Sequence, residues 1–332
     1  MLSTALFFGV RHLVRYLRHL EDKGRKPATL ARRMASIAST CRLVGLAETA
    51  SLPTEHAMVR NALRANRRRK GASQRQAAPL RFGGPLGESS GFTLSALLDV
   101  CSTDIQGQRD AAMLSVGYDA GLRVSELTAA QVGHLEPQDD GSGLLALPRS
   151  KTDQEGSGAW AWLSPETMRL VHAWLVNTGI EAGPLFRRVG VDRRRARGAV
   201  APQRHDQIPG NTRHWQARLE GTAARPASVT YTIGETSLTR QGVCSIYRRL
   251  ALAAADAGLV EMTGVELADA VAALSTHSLR VGLTQDLFAA GEDGAGIALA
   301  LRWNSPATAL RYGRKLSVKR NASSRVLGAV RA

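Results

Sequence analysis

From Val10 the chain repeats apolar residues at Val10, Leu13, Val14, Leu17 and Leu20, with Arg11, Arg15 and Arg18 on the opposite side. An apolar residue at every third or fourth position predicts a helix with one buried stripe and one charged face. A second such pattern (Leu30, Met34, Ile37, Cys41, Val44) predicts a helix over residues 28–44, stopped by Gly45. Its polar face carries Thr29, Arg32, Arg33 and Ser36. A third helix is predicted over residues 53–69. Together these make a small helical domain over residues 1–75. Arg67-Arg68-Arg69-Lys70 then opens a stretch rich in Gly, Gln, Ala and Pro, whose composition predicts a linker over residues 76–91.

The pattern changes at Phe92. Helices are predicted over residues 92–101, 108–121, 125–131 and 165–178, the last entered through Ser164 as a cap with Pro165 in its first turn. Two short strands are predicted at 143–148 and 158–163, flanking a turn at 150–156. Residues 189–237, rich in Arg, Gly, Pro and Thr, read as a long irregular insertion. Further helices follow at 238–258, 265–274, 279–290 and 295–301. The expected class is mainly α, multi-helical, with a small β-sheet in a second domain over residues 92–332.

Composition narrows the partner. The chain has 332 residues with 44 Lys+Arg against 28 Asp+Glu, a formal net charge of +16. Residues 1–80 hold sixteen of the basic residues and only four acids, Glu21, Asp22, Glu48 and Glu55. A basic excess crowded into a quarter of the chain is the footprint of a polyanionic partner, with nucleic acid first. No apolar run reaches the ~18 residues that span a bilayer, and no signal peptide is expected at the start. Cys41, Cys101 and Cys244 are far apart and odd in number, so they read as reduced core residues of a cytoplasmic protein.

Three constellations carry candidate chemistry. In Gly121-Leu122-Arg123-Val124-Ser125-Glu126-Leu127 an arginine follows a glycine break, with a carboxylate three residues on. In Thr276-His277-Ser278-Leu279-Arg280-Val281-Gly282 a histidine and an arginine share one face of a helix start and can converge on one anion. Trp303 is followed nine residues later by Tyr312. Each has an ordinary explanation when read alone: a surface arginine, a solvated helix face, two core aromatics. Their joint order resembles the catalytic signature of the tyrosine recombinases (phage-type integrases), with the Cre-like group nearest in likeness. The resemblance runs over nearly the whole chain. Arg149-Ser150-Lys151-Thr152 falls where that family places its catalytic lysine.

The resemblance implies two domains forming a C-shaped clamp on DNA, and a metal-free reaction without a cofactor. Arg123 and Arg280 would hold the scissile phosphate, and Trp303 would add an indole N–H. Tyr312 would be the nucleophile that forms a 3′-phosphotyrosyl bond, with His277 accepting its proton. Lys151 would protonate the departing 5′-oxygen, and Glu126 would orient His277 or Arg123. The physics agrees: guanidinium groups stay charged and bind phosphate through paired hydrogen bonds. No carboxylate or His/Cys grouping suggests a metal site, and no Gly-rich loop suggests a nucleotide. The resemblance further implies a double-stranded DNA partner with an inverted-repeat target, a monomer in free solution, and a homotetramer on synapsed DNA in a bacterial nucleoid. The helix from residue 28 would enter the major groove with Thr29, Arg32, Arg33 and Ser36, and Arg240 would contact a base. Residues 321–332 would dock into a neighbouring protomer. Against the family pattern, the first helix is short or absent and the insertion at 204–236 is longer. A hairpin telomere resolvase, a type IB topoisomerase and a non-catalytic DNA-binding regulator are the alternatives.

Overall fold

The computed structural model describes residues 9–45, 51–71, 76–83, 91–148, 158–210, 213 and 215–319, with side chains to residue 313. The chain divides into two compact units, Met1–Gln76 and Ala77–Ala332.

The first unit packs α1 (Val10–Asp22), α2 (Pro27–Leu43) and α3 (Ala57–Lys70) around Leu13, Leu17, Leu20, Leu30, Met34 and Val59. Pro27 opens α2, where a missing N–H costs nothing. The third helix starts later than its pattern predicts. Pro53–Glu55 is a separate 3₁₀ turn, and His56 then caps α3 by accepting the Met58 N–H at 3.2 Å. Arg69 grips Glu21 with two donors, which ties the end of α3 to the end of α1.

In the second unit α4 (Leu94–Asp99), α5 (Ile105–Asp119) and α6 (Val124–Ala129) precede a three-stranded antiparallel sheet. Its strands are β1 (Leu135–Pro137), β2 (Gly143–Leu147) and β3 (Ala159–Leu163). Leu145 and Leu147 of β2 and Ala161 and Leu163 of β3 face the core, while Trp160 and Trp162 face out. Helices α7 (Pro165–Thr178), α8 (Trp215–Glu220), α9 (Arg240–Asp256), α10 (Gly264–Ala273), α11 (Ser278–Ala290), α12 (Gly294–Ala300) and α13 (Pro306–Lys319) complete the described helices. Helix α5 is buried on nearly every side from Arg109 to Tyr118, and its two buried charges, Arg109 and Asp110, pair with each other at 2.6 Å. Among the described residues no helix is long and apolar enough to cross a membrane.

Three expectations are corrected. The 189–237 segment is not irregular: β4 (Arg187–Arg194) pairs antiparallel with β5 (Ser228–Ser237), from Arg187↔Ser237 to Arg194↔Ser228. Tyr231 of this ribbon donates to Asp104 at 2.7 Å, beside the start of α5. The stretch read as a linker is bound into the second unit over Ala77–Gly83. There Leu80 is buried, and Asp286 of α11 accepts from the Arg81 Nε (2.6 Å), the Phe82 N–H (2.7 Å) and the Tyr118 hydroxyl (2.5 Å). The three cysteines are free, but each is only partly buried. Lys151, the turn around it and residues 321–332 lie outside the described residues.

Candidate active site

Two helix ends build the site. Helix α5 stops at Ala120, and Gly121 follows in the left-handed region (φ 51°) that lets the chain turn back. The Leu122 N–H returns to the Gly117 carbonyl at 3.1 Å, and Arg123 begins the next helix. Helix α12 ends in the same way. Leu301 is its cap, Arg302 follows at φ 55°, and the Trp303 N–H returns to the Ala298 carbonyl at 2.8 Å. Both turns thus aim the next residue, Leu122 and then Arg123 in one case, Trp303 in the other.

Helix α11 supplies the histidine and the second arginine. Ser275 and Ser278 close a turn around His277, with the Ser275 N–H donating to Ser278 Oγ at 3.0 Å and the His277 N–H to Ser275 Oγ at 3.2 Å. Arg280 is wholly buried, and its two terminal nitrogens donate to the Gly121 and Leu301 carbonyls. It therefore staples the two turns together. Its guanidinium carbon lies 5.0 Å from the centre of the Trp303 ring.

Tyr312, on α13, completes the group. Its hydroxyl is 3.0 Å from His277 Nε2, and its ring stacks on Trp303 at 5.4 Å with an interplanar angle of 13°. Immediately after it the helix breaks. Gly313 is non-helical, and a β-carbon there would strike the Phe288 ring. The sequence patterns do not predict this helix. Pro306 in its first turn and Ala309 and Leu310 ahead of Tyr312 are the signal that marks it.

Charge is concentrated around Glu126. One carboxylate oxygen accepts from Arg123 Nη1 at 2.7 Å; the other accepts the Arg123 N–H at 2.9 Å, and lies 4.0 Å from Arg280 and 3.8 Å from Arg302. Of the two partners expected for Glu126, the geometry gives it Arg123. Burial lowers the pKa of His277, and the Arg280 and Arg123 charges push it the same way, so the ring is held neutral. Burial, with Arg123 adding to it, pulls Arg280 down to about 9, still cationic at neutral pH. Arg302, which none of the sequence motifs includes, is drawn down by burial too.

The structure thus brings Arg123, His277, Arg280, Trp303 and Tyr312 together. The expected DNA-facing residues belong to other helices. Arg32, Arg33 and Ser36 are exposed on α2 and Thr29 is half-buried, opposite the buried Leu30, Met34 and Ala38. Arg240 is exposed at the start of α9, where Thr239 caps the helix by accepting the Gly242 N–H at 3.0 Å. Among the described residues no group of three His, Cys, Asp or Glu is placed to hold a metal ion.

A mainly helical unit that gathers two arginines, a histidine and a stacked tryptophan–tyrosine pair is what the resemblance to the tyrosine recombinases implies, and the chain is similar to recombinases in sequence and in fold. It is 30% identical over 182 residues to the integrase/recombinase XerD homolog of Selenomonas ruminantium, covering 53% of this chain and 50% of that one. It is 25% identical over 316 residues to recombinase Cre of Escherichia phage P1, covering 94% of this chain and 78% of that one. The match thus spans half the length of the first relative. The Tn1549 transposon integrase, solved in complex with transposon right end DNA, shares the fold at a TM-score of 0.52 and 11% identity, covering 98% of this chain and 85% of that one. No family model matches the chain.

Proposed function

We propose that the protein is a site-specific recombinase that cuts and rejoins duplex DNA through a covalent bond to Tyr312. The observation that carries this reading is the 3.0 Å contact between the Tyr312 hydroxyl and His277 Nε2, beside Trp303 and Arg280. A phenol, with a pKa near ~10, is a poor nucleophile until its proton has somewhere to go. Neutral His277 offers an acceptor at hydrogen-bond distance.

In the proposed step the Tyr312 oxygen attacks the backbone phosphorus and its proton passes to His277. The bond from phosphorus to the 5′-oxygen breaks, and that oxygen takes a proton from Lys151. The product is a 3′-phosphotyrosyl link and a free 5′-hydroxyl, which can attack back in a partner strand through a Holliday junction. Ester energy is kept, so no nucleotide is consumed. Arg123, Arg280 and the Trp303 N–H meet the charge that builds on the phosphoryl oxygens. Arg280 is already committed to the Gly121 and Leu301 carbonyls, so phosphate must share or replace those partners.

The partner is double-stranded DNA carrying an inverted repeat, read through Thr29, Arg32, Arg33 and Ser36 and through Arg240. The protein is a monomer in free solution and a tetramer on synapsed DNA in a bacterial cytoplasm, and it works without metal or cofactor. A nicked suicide duplex, bearing the sequence the protein selects from a random pool, tests the reading. The expected result is a covalent protein–DNA complex with the protein as purified and none with Tyr312→Phe, at equal DNA affinity. Covalent complex from the Tyr312→Phe protein would sink the assignment. Product topology on a plasmid with two sites then separates recombination from simple relaxation or hairpin formation.

A further inference from the structure

Among the described residues Arg302 is the one non-glycine with a positive φ. It sits just past the cap of α12, the position where helices favour glycine because a β-carbon crowds the backbone. Such a residue persists when its side chain is held, and here it is. The Arg302 Nη2 donates to the Ala120 carbonyl at 2.8 Å and lies 3.8 Å from Glu126 Oε2, while Nη1 donates to the Ala300 carbonyl at 3.3 Å. Its side chain is only 10% exposed. Arg280 holds Gly121, and Arg302 holds Ala120, one residue earlier in the same turn. The next residue after Arg302 is Trp303, on which Tyr312 stacks.

We propose that Arg302 is a positioning residue of the active site, a proposal that rests on the cleavage reading above. It ties the turn that leads to Arg123 to the bend that presents Trp303. Through Glu126 it also helps fix the direction of the Arg123 guanidinium. An apolar side chain would fill the same volume but leave the Ala120 carbonyl without this donor. Glycine would adopt the backbone without strain but would carry no cation. The chain keeps arginine where the backbone favours glycine, which points to the guanidinium as the reason.

Arg302→Gly separates the two explanations, because it relaxes the backbone and removes the cation together. On the nicked suicide duplex, the variant should melt no more than a few degrees below the parent and bind with unchanged Kd. Its covalent complex should form at least tenfold more slowly at saturating DNA. Added guanidinium chloride, against potassium chloride at equal ionic strength, should restore part of that rate. An Arg302→Gly protein that cleaves at the parental rate overturns the proposal, as does a rate loss that merely tracks weaker binding. If Arg302→Gly does not fold, Arg302→Lys decides. Lysine keeps the charge without the fork, so a tenfold slower rate at unchanged Kd supports the role and an unchanged rate removes it. A parent protein that forms no covalent complex overturns the cleavage reading itself, whereas an active parent beside a full-rate Arg302→Gly overturns only the role of Arg302.

Discussion

His277 is a histidine kept from charging. It is largely buried, and Arg280 and Arg123 oppose a further positive charge, so its pKa lies below the ordinary value of about 6.5. Above ~6.5 the folded and unfolded chains both carry it neutral, and it adds no pH dependence to stability. As pH falls below that value the unfolded chain takes up the proton first, and folding loses stability. On the proposed reading the same shift protects function. The rate of covalent-complex formation per bound DNA should stay level from pH 8 down to about 6.5 and fall only at lower pH, read in single-turnover assays. Half-maximal rate at or above pH 6.5 would contradict this. His277→Gln should slow cleavage by about a hundredfold or more while DNA affinity holds.

At the scale of elements, the helix that carries Tyr312 is set by its neighbour Gly313. That residue leaves the helical conformation and lies so close to the Phe288 ring of α11 that a β-carbon has no room. Gly313→Ala must therefore push α13 away from α11, or turn Phe288 out of its cluster with Ile297, Leu301 and Ala309. Either response moves the Tyr312 hydroxyl from His277. The expected outcome is a loss of about 1–3 kcal/mol in thermal or denaturant unfolding, together with a fall in cleavage at saturating DNA. Parental cleavage by Gly313→Ala would show that the close packing does not aim the tyrosine. The β4–β5 ribbon shows the limits of pattern at this scale. Val189 and Val191 alternate in one strand, and Val229, Tyr231 and Ile233 in the other, but arginines surround the first pair and the two halves are separated by more than thirty residues. The period-two alternation is present in both strands, and composition hides it.

For the whole molecule, the proposed reading makes charge the term that decides how DNA is met. With sixteen Lys/Arg against four acids in residues 1–80, most affinity should come from phosphates. Binding to the selected duplex should weaken by about a thousandfold between 50 and 200 mM salt in a titration. A drop of only a few fold would place the affinity in base contacts instead. Much of the fold is legible without coordinates, because amphipathic helices announce themselves locally. Helix α7, with its Ser164 cap and Pro165, runs over the residues its pattern predicts. The order of Arg123, His277, Arg280, Trp303 and Tyr312 is legible as well, through motifs only a few residues long. What escapes is pairing at long range. Asp286 meets Arg81 and Phe82 more than 200 positions away, and Arg302 meets Ala120 across 182. Nothing local in the sequence marks either end of such a pair.

One glycine carries a practical lesson for anyone who mutates this chain. Gly282 closes the His277-to-Gly282 motif, yet a β-carbon there would collide with the Leu80 carbonyl oxygen, whose own N–H donates to the Ser278 carbonyl at 3.0 Å. A survey of variants scored by recombination alone would rank Gly282 beside Arg280 and credit both with chemistry. Scored for soluble, protease-resistant protein, the two should part company: one position guards a seam between chain segments, the other, on the proposed reading, the electrostatics of the reaction.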